Sequence, residues 1–203
     1  MTLQALIDIS FALMFNGILL LGLVQILSLL TPLAQNRGFT VSAIIPGLAS
    51  GIVGVLLIEL SGTLYPGVMF DARSVLLAIT GLFLGPVPTA IAVSMTALYR
   101  WSLGGSGAVT GLAVILCSGG AGLLWRYTLR QSPHKVSWRA LLRLGVAVHA
   151  SMLALMLLMP WELARSVLAT ISLPVMIILP LFTVALGLLL VRQMHGLRET
   201  DKL

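Results

Sequence analysis

Long apolar runs alternate with short polar breaks along almost the whole chain. Residues 6–30 form the first run, marked only by Asp8 near its start and Asn16 within it. A polar break containing Thr31-Pro32 and Asn36-Arg37-Gly38 separates it from a second run over residues 41–60. Each run reaches the roughly 20 residues that a helix needs to cross a hydrocarbon core about 30 Å thick. Gly47 and Gly51 give the second run a small-xxx-small face for close helix packing. Residues 61–71 hold Gly62, Pro66 and Gly67, too many breakers for a helix, yet they are apolar enough to fold over a neighbour. Two short apolar pieces follow, 74–85 and 87–101, divided by Gly85-Pro86-Val87-Pro88. As helices they reach only about 18 and 22 Å, too short to span singly. Further runs cover 110–124, 140–159 and 166–191, the last with Pro174 and Pro180 expected to bend it. The pattern predicts an all-α polytopic membrane bundle of about six to seven helices, including a short-helix hairpin with a Gly-Pro turn.

Charge decides how these runs are threaded. Only 9% of the 203 residues are charged and 59% are hydrophobic, with a mean hydropathy of +1.08, which excludes an ordinary soluble domain. Arg126, Arg130, Lys135, Arg139 and Arg143 fall in one linker, and Arg192, Arg198 and Lys202 in the C-terminal tail. The positive-inside bias makes both cytoplasmic, and the net charge of +6 then points to anionic lipid rather than nucleic acid. Working backwards, residues 110–124 cross inward, so 99–107 lie outside. Arg37 puts the first break inside, so the second run crosses outward and 61–72 also lie outside. Both ends of the short pair are therefore external, which requires a hairpin with its turn inside. The next run crosses outward, Pro160-Trp161-Glu162 turns there, and the last run returns. This leaves the N-terminus outside and the C-terminus cytoplasmic. The first run lacks a basic leader and a small-residue cleavage site, so it is expected to stay as a span.

The threading brings Arg73 and Arg100 to one face of the membrane. An arginine at mid-bilayer depth costs roughly 2.5–3.5 kcal/mol unless it is paired or wet. Its planar guanidinium suits a carboxylate or phosphate. Two guanidiniums converging on one anion form charge-assisted bonds, roughly twice as strong as neutral ones. The competing reading is snorkelling to the interface, or pairing with Asp71 or Glu59. Asp71 either orients Arg73 or contacts a hydroxyl or amine on a ligand. Tyr99, Ser106 and Thr110 complete the candidate site, with Tyr65 and Trp101 flanking it. For the aromatics the alternative is the interfacial belt of any membrane surface.

The remaining polar residues read more plainly. Cys117 follows an apolar helical run and reads as a packed thiol. His149 reads as a hydrogen-bonded packing residue, with a proton relay as the alternative. His134 and His195 read as solvated. Asp8 and Asn16 are expected to face the bundle. Met152, Met156, Met159 and Met176 read as core filler. No Ser/His/Asp grouping or metal-ligand spacing occurs, and Gly104-Gly105-Ser106-Gly107 lacks the lysine of a phosphate loop. No catalysis, cofactor or metal is expected of this chain.

Three motifs stand in order: Asp71-Ala72-Arg73, then Gly81-Leu82-Phe83-Leu84-Gly85-Pro86, then Ala97-Leu98-Tyr99-Arg100 with Leu103-Gly104-Gly105 and a glycine-rich helix ending at Arg126. In these, residues 47–127 resemble the sensory domain of the LytS/YhcK-type five-transmembrane receptors. The resemblance implies an input module of a bacterial inner-membrane histidine kinase or diguanylate cyclase. It implies a small carboxylate or other anion as ligand, with Arg73 and Arg100 as its binding arginines. Residues 1–192 would be the transmembrane sensory domain, an extra helix 6–30 ahead of a receptor core 41–192. Residues 193–203 would be a cytoplasmic tail or linker to an output domain, and the protein a homodimer through either domain. At the place beyond the second arginine where some carboxylate-sensing relatives carry a polar or thiol side chain, this chain has Gly111, with Thr110 and Ser106 nearby. The short hairpin is also similar to the substrate-binding subunits of vitamin transporters, so a solute-binding transport subunit is the alternative function.

Overall fold

The computed structural model describes residues 3–30, 39–65, 68–129 and 135–200. These form α1 (Leu3–Leu30), α2 (Phe39–Glu59), β1 (Gly62–Tyr65), β2 (Val68–Phe70), α3 (Arg73–Leu84), α4 (Pro86–Ser102), α5 (Ala108–Leu129), α6 (Trp138–Leu155) and α7 (Trp161–Thr200). Ile7–Gln25, Ala108–Leu129, Trp138–Leu158 and Trp161–Met194 are long and apolar enough to cross a membrane. Ala43–Glu59 and Arg73–Leu84 are apolar but shorter. The expected all-α polytopic bundle is the observed one. Arg37 and the first polar break, Pro66-Gly67, His134 and Lys202 lie outside the described residues, as do the side chains of Tyr65, His195 and Arg198.

Residues 61–71, expected as an irregular loop, contain an antiparallel pair of strands in which Gly62 faces Phe70 and Thr63 faces Met69. Thr63, Tyr65, Val68 and Phe70 are the β-branched and aromatic types that favour a strand, and they bracket the Pro-Gly pair in sequence. The short hairpin is present as expected. Gly85 connects α3 to α4 at φ 88°, a backbone conformation that L side chains rarely adopt, and Pro86 opens α4 at a position that needs no N–H donor.

Helix α3 occupies the centre of the bundle. Every residue from Arg73 to Phe83 is buried, as an all-round apolar helix requires, and α3 packs against α5 along much of its length. The approach is backbone to backbone. A Cβ on Gly81 would lie 2.8 Å from both the Gly119 carbonyl oxygen and the Leu123 nitrogen, and one on Gly122 would strike the Ala78 carbonyl. Helix α4 packs chiefly on α2, where Gly47, Gly51 and Gly54 meet Ile91, Met95 and Thr96. The small-residue face of the second run is thus a packing face.

The C-terminal end of α3 has an unanticipated cap. Arg126 Nη1, from α5, donates to the Leu82 carbonyl at 2.9 Å and the Phe83 carbonyl at 3.0 Å. Those carbonyls have no partner within the helix, and the cation also opposes the negative end of the helix dipole. Arg126→Ala should lower stability by about 1.5–3 kcal/mol, the range for hydrogen bonds from a charged group. Thermal unfolding in detergent measures it, and an unchanged midpoint would mean that water covers these carbonyls equally well.

Two polar positions in α1 separate. Asn16 is buried and its Nδ2 donates to the Leu60 carbonyl at 3.2 Å, tying α1 to the end of α2. Asp8, expected to face the bundle, is exposed instead, and its Oδ1 accepts from Gln4 one helical turn away. Helix α7 continues through both prolines, with Pro180 Cα close enough to α6 that a Cβ on Gly145 would lie 2.9 Å from it.

Candidate functional site

The start of α3 positions the first arginine. Asp71 Oδ1 accepts the backbone N–H of Arg73 at 2.8 Å, serving one of the amides that the first turn leaves without a helical partner. Its other oxygen, Oδ2, stands 3.3 Å from Arg73 Nη1 in an ion pair whose side chains are 0% and 7% exposed. Contact distance is reached without hydrogen-bond geometry. Asp71 Oδ2 and Arg73 Nη1 therefore have no hydrogen-bond partner among the described residues. A buried pair offsets its desolvation only when its remaining polar atoms are satisfied, so this one favours a further partner. Burial raises the Asp71 carboxyl above its ordinary pKa, while the Arg73 charge, the Arg73 N–H and the Arg100 charge act the other way.

The second arginine arrives from the end of α4. Arg100 is 1% exposed, and its Nη1 donates to the Gly104 carbonyl at 2.7 Å. Gly104 and Gly105, at φ 60° and 88°, turn the chain back so that this carbonyl meets the guanidinium. The stem of Arg100 lies against α5 at Gly111, where a Cβ would be 2.9 Å from Nε and 3.3 Å from Cγ. Gly111 thus acquires a physical role: its missing side chain is the space that Arg100 occupies.

Both arginines line one cavity of about 20 Å³, room for about one water molecule. Asp71, Ser74 and Thr110 give its lining polar groups, and Met69, Met152, Met156 and Met159 give it thioethers. Of the expected site residues, Asp71, Arg73, Arg100 and Thr110 come together here. Tyr99 is half-buried and Ser106 exposed, and neither lines the cavity. Glu59 is exposed at the end of α2, so the carboxylate beside Arg73 is that of Asp71. Trp101 is also exposed, as an interfacial aromatic would be.

Three groups in or beside the cavity were not expected there. Ser74 lines the cavity one residue after Arg73. His149 is fully enclosed and joins Ser74 Oγ through Nε2 at 3.1 Å, while its Nδ1 lies 2.6 Å from the Gly145 carbonyl. It is the hydrogen-bonded packing residue expected, but its bond reaches the cavity wall. Met152, Met156 and Met159 stand at i, i+4 and i+7, a helical spacing that was the available signal that they act together, although the chain passes from α6 into a 3-10 turn at Met156–Leu158 and is extended at Met159. Among the described residues no three His, Cys, Asp or Glu side chains cluster as metal ligands.

The family model described as 5TMR of 5TMR-LYT matches residues 15–193, a stretch that takes in the arginines, the whole cavity and most of the bundle. No curated protein and no solved structure matches the chain. The chain therefore belongs to the LytS-type five-transmembrane receptor family, whose domain is a membrane sensory domain of signalling proteins.

Proposed function

We propose that this chain is the input module of a bacterial inner-membrane signalling protein and binds a small carboxylate between Arg73 and Arg100 at the outer end of the bundle. The carrying observation is two buried guanidiniums on one cavity, one of them only loosely engaged by its counter-ion. Lys135, Arg139 and Arg143 precede or open α6, whereas Met152 near its far end and Met156 and Met159 just beyond it line the cavity. The positive-inside bias supports reading the cavity end as external.

A cavity with room for about one water molecule is too small for a three- or four-carbon acid. Binding therefore displaces part of the wall, and the unbranched methionines are the side chains best able to give way. The occupied and empty bundles then differ in structure and in affinity, which is what a sensor needs in order to respond. Helix α7 runs from the cavity end to the opposite end and is the path to an output domain, a histidine kinase or diguanylate cyclase acting as a homodimer. Thermal unfolding of the purified protein with acetate, lactate, pyruvate and succinate tests the site. A ligand at a hundred times its Kd stabilises by about 2.7 kcal/mol, and Arg73→Ala or Arg100→Ala should remove that shift. A carboxylate that stabilises both variants as strongly as the wild type would refute the arginine site.

A further inference from the structure

The hydrogen bonds of His149 determine what Ser74 can offer to the cavity. A carbonyl oxygen only accepts, so the 2.6 Å contact with Gly145 requires the proton on His149 Nδ1. The ring is fully enclosed, and its hydrogen-bond partners are a hydroxyl and a carbonyl rather than a carboxylate, so it is neutral. Nε2 is then an acceptor, and the Ser74 hydroxyl must donate to it across 3.1 Å. The one proton of Ser74 is committed to His149. What remains for the cavity is a lone pair. Asp71 lines the same cavity, and its Oδ2 likewise receives no hydrogen bond among the described residues.

We infer that the ligand carries a hydrogen-bond donor beside its carboxylate: a small hydroxy acid or amino acid, selected over an oxo acid or an unsubstituted acid of the same size. The inference rests on the carboxylate reading of the arginines. Arg73 and Arg100 take the carboxylate, and Ser74 accepts from the ligand hydroxyl or ammonium. An oxo group at Ser74 meets lone pair against lone pair and leaves Ser74 unsatisfied. A methylene there gains no bond. His149 is a positioning residue in this scheme, since it sets the polarity of Ser74 without touching the ligand.

Four three-carbon probes separate the possibilities: lactate, alanine, pyruvate and propionate, each titrated against the purified full chain in nanodiscs by calorimetry and thermal shift. Lactate or alanine should bind at least about tenfold more tightly than pyruvate and propionate, the scale of one satisfied buried hydrogen bond. His149→Leu frees the Ser74 proton, so the ratio of lactate to pyruvate affinity should fall toward one. Arg73→Ala should weaken both acids without changing their ratio. Ser74→Ala, a smaller change and a safeguard against misfolding of the histidine variant, should bring lactate down to propionate. Pyruvate or propionate binding as well as lactate and alanine would overturn the inference while leaving the carboxylate site standing. So would a lactate preference that survives both His149→Leu and Ser74→Ala. If none of the four binds the wild type, this inference falls, and the acetate and succinate titrations decide the carboxylate site separately.

Discussion

Gly122→Ala should unfold at a markedly lower temperature than the wild type, whereas Gly120→Ala, two residues earlier on the same helix, should unfold at the same temperature or slightly higher. Both changes replace glycine by the best helix former, worth up to about 1 kcal/mol in a helix interior. Their surroundings differ completely. Gly120 is exposed, with nothing near enough to meet an added Cβ. Gly122 is buried against α3, and its Cβ would strike the carbonyl oxygen of Ala78 and lie 2.8 Å from the carbonyl carbon. Those are backbone atoms of the central helix, and no rotamer change removes them. Overpacking typically costs about 1–3 kcal/mol, and an immovable neighbour puts Gly122 at the upper end, above any gain in helix propensity. Parting α3 from α5 would also disturb the cavity, because Arg73 and Ser74 stand on one helix and Thr110 and Gly111 on the other. Unfolding followed by circular dichroism in one detergent compares the two variants. Equal midpoints would mean that the α3–α5 contact is looser than described.

The bundle was legible in the sequence because hydropathy and loop charge carry it. The hairpin followed from two pieces too short to cross and a charge bias that placed both their outer ends on one side. That argument also puts Arg73 and Arg100 at one face of the membrane. Detail failed where helices are apolar all round. In α1 no polar face exists to set the rotation, so nothing in the pattern distinguished exposed Asp8 from buried Asn16. In α4, Tyr99 and Arg100 are consecutive and point about 100° apart, and of the two it is Arg100 that lines the cavity. Ser74 and His149 meet between α3 and α6, far apart in the chain, and no local pattern encodes that contact. Gly111 looked like an absence of chemistry. It is instead the space filled by an arginine.

That role makes position 111 the most sensitive test of how Arg100 is held. Gly111→Ala places a Cβ 2.9 Å from Arg100 Nε, and Gly111→Leu fills the space along the arginine stem. The obstacle is a long side chain rather than backbone, so the alanine variant should fold with nearly wild-type stability. Its cost should fall on binding. Arg100 is enclosed and anchored at one end by the Gly104 carbonyl, so a sideways push turns the guanidinium away from the cavity instead of merely shortening its reach. Loss of a charged hydrogen bond is worth about 1.5–3 kcal/mol, so the alanine variant should bind a stabilising carboxylate roughly ten- to a hundredfold more weakly. The leucine variant should not bind it measurably. Calorimetric titration against wild type, with unfolding midpoints to verify folding, separates loss of the site from loss of the protein. Full affinity in Gly111→Leu, folded as well as wild type, would mean that Arg100 engages the ligand from another direction, or not at all.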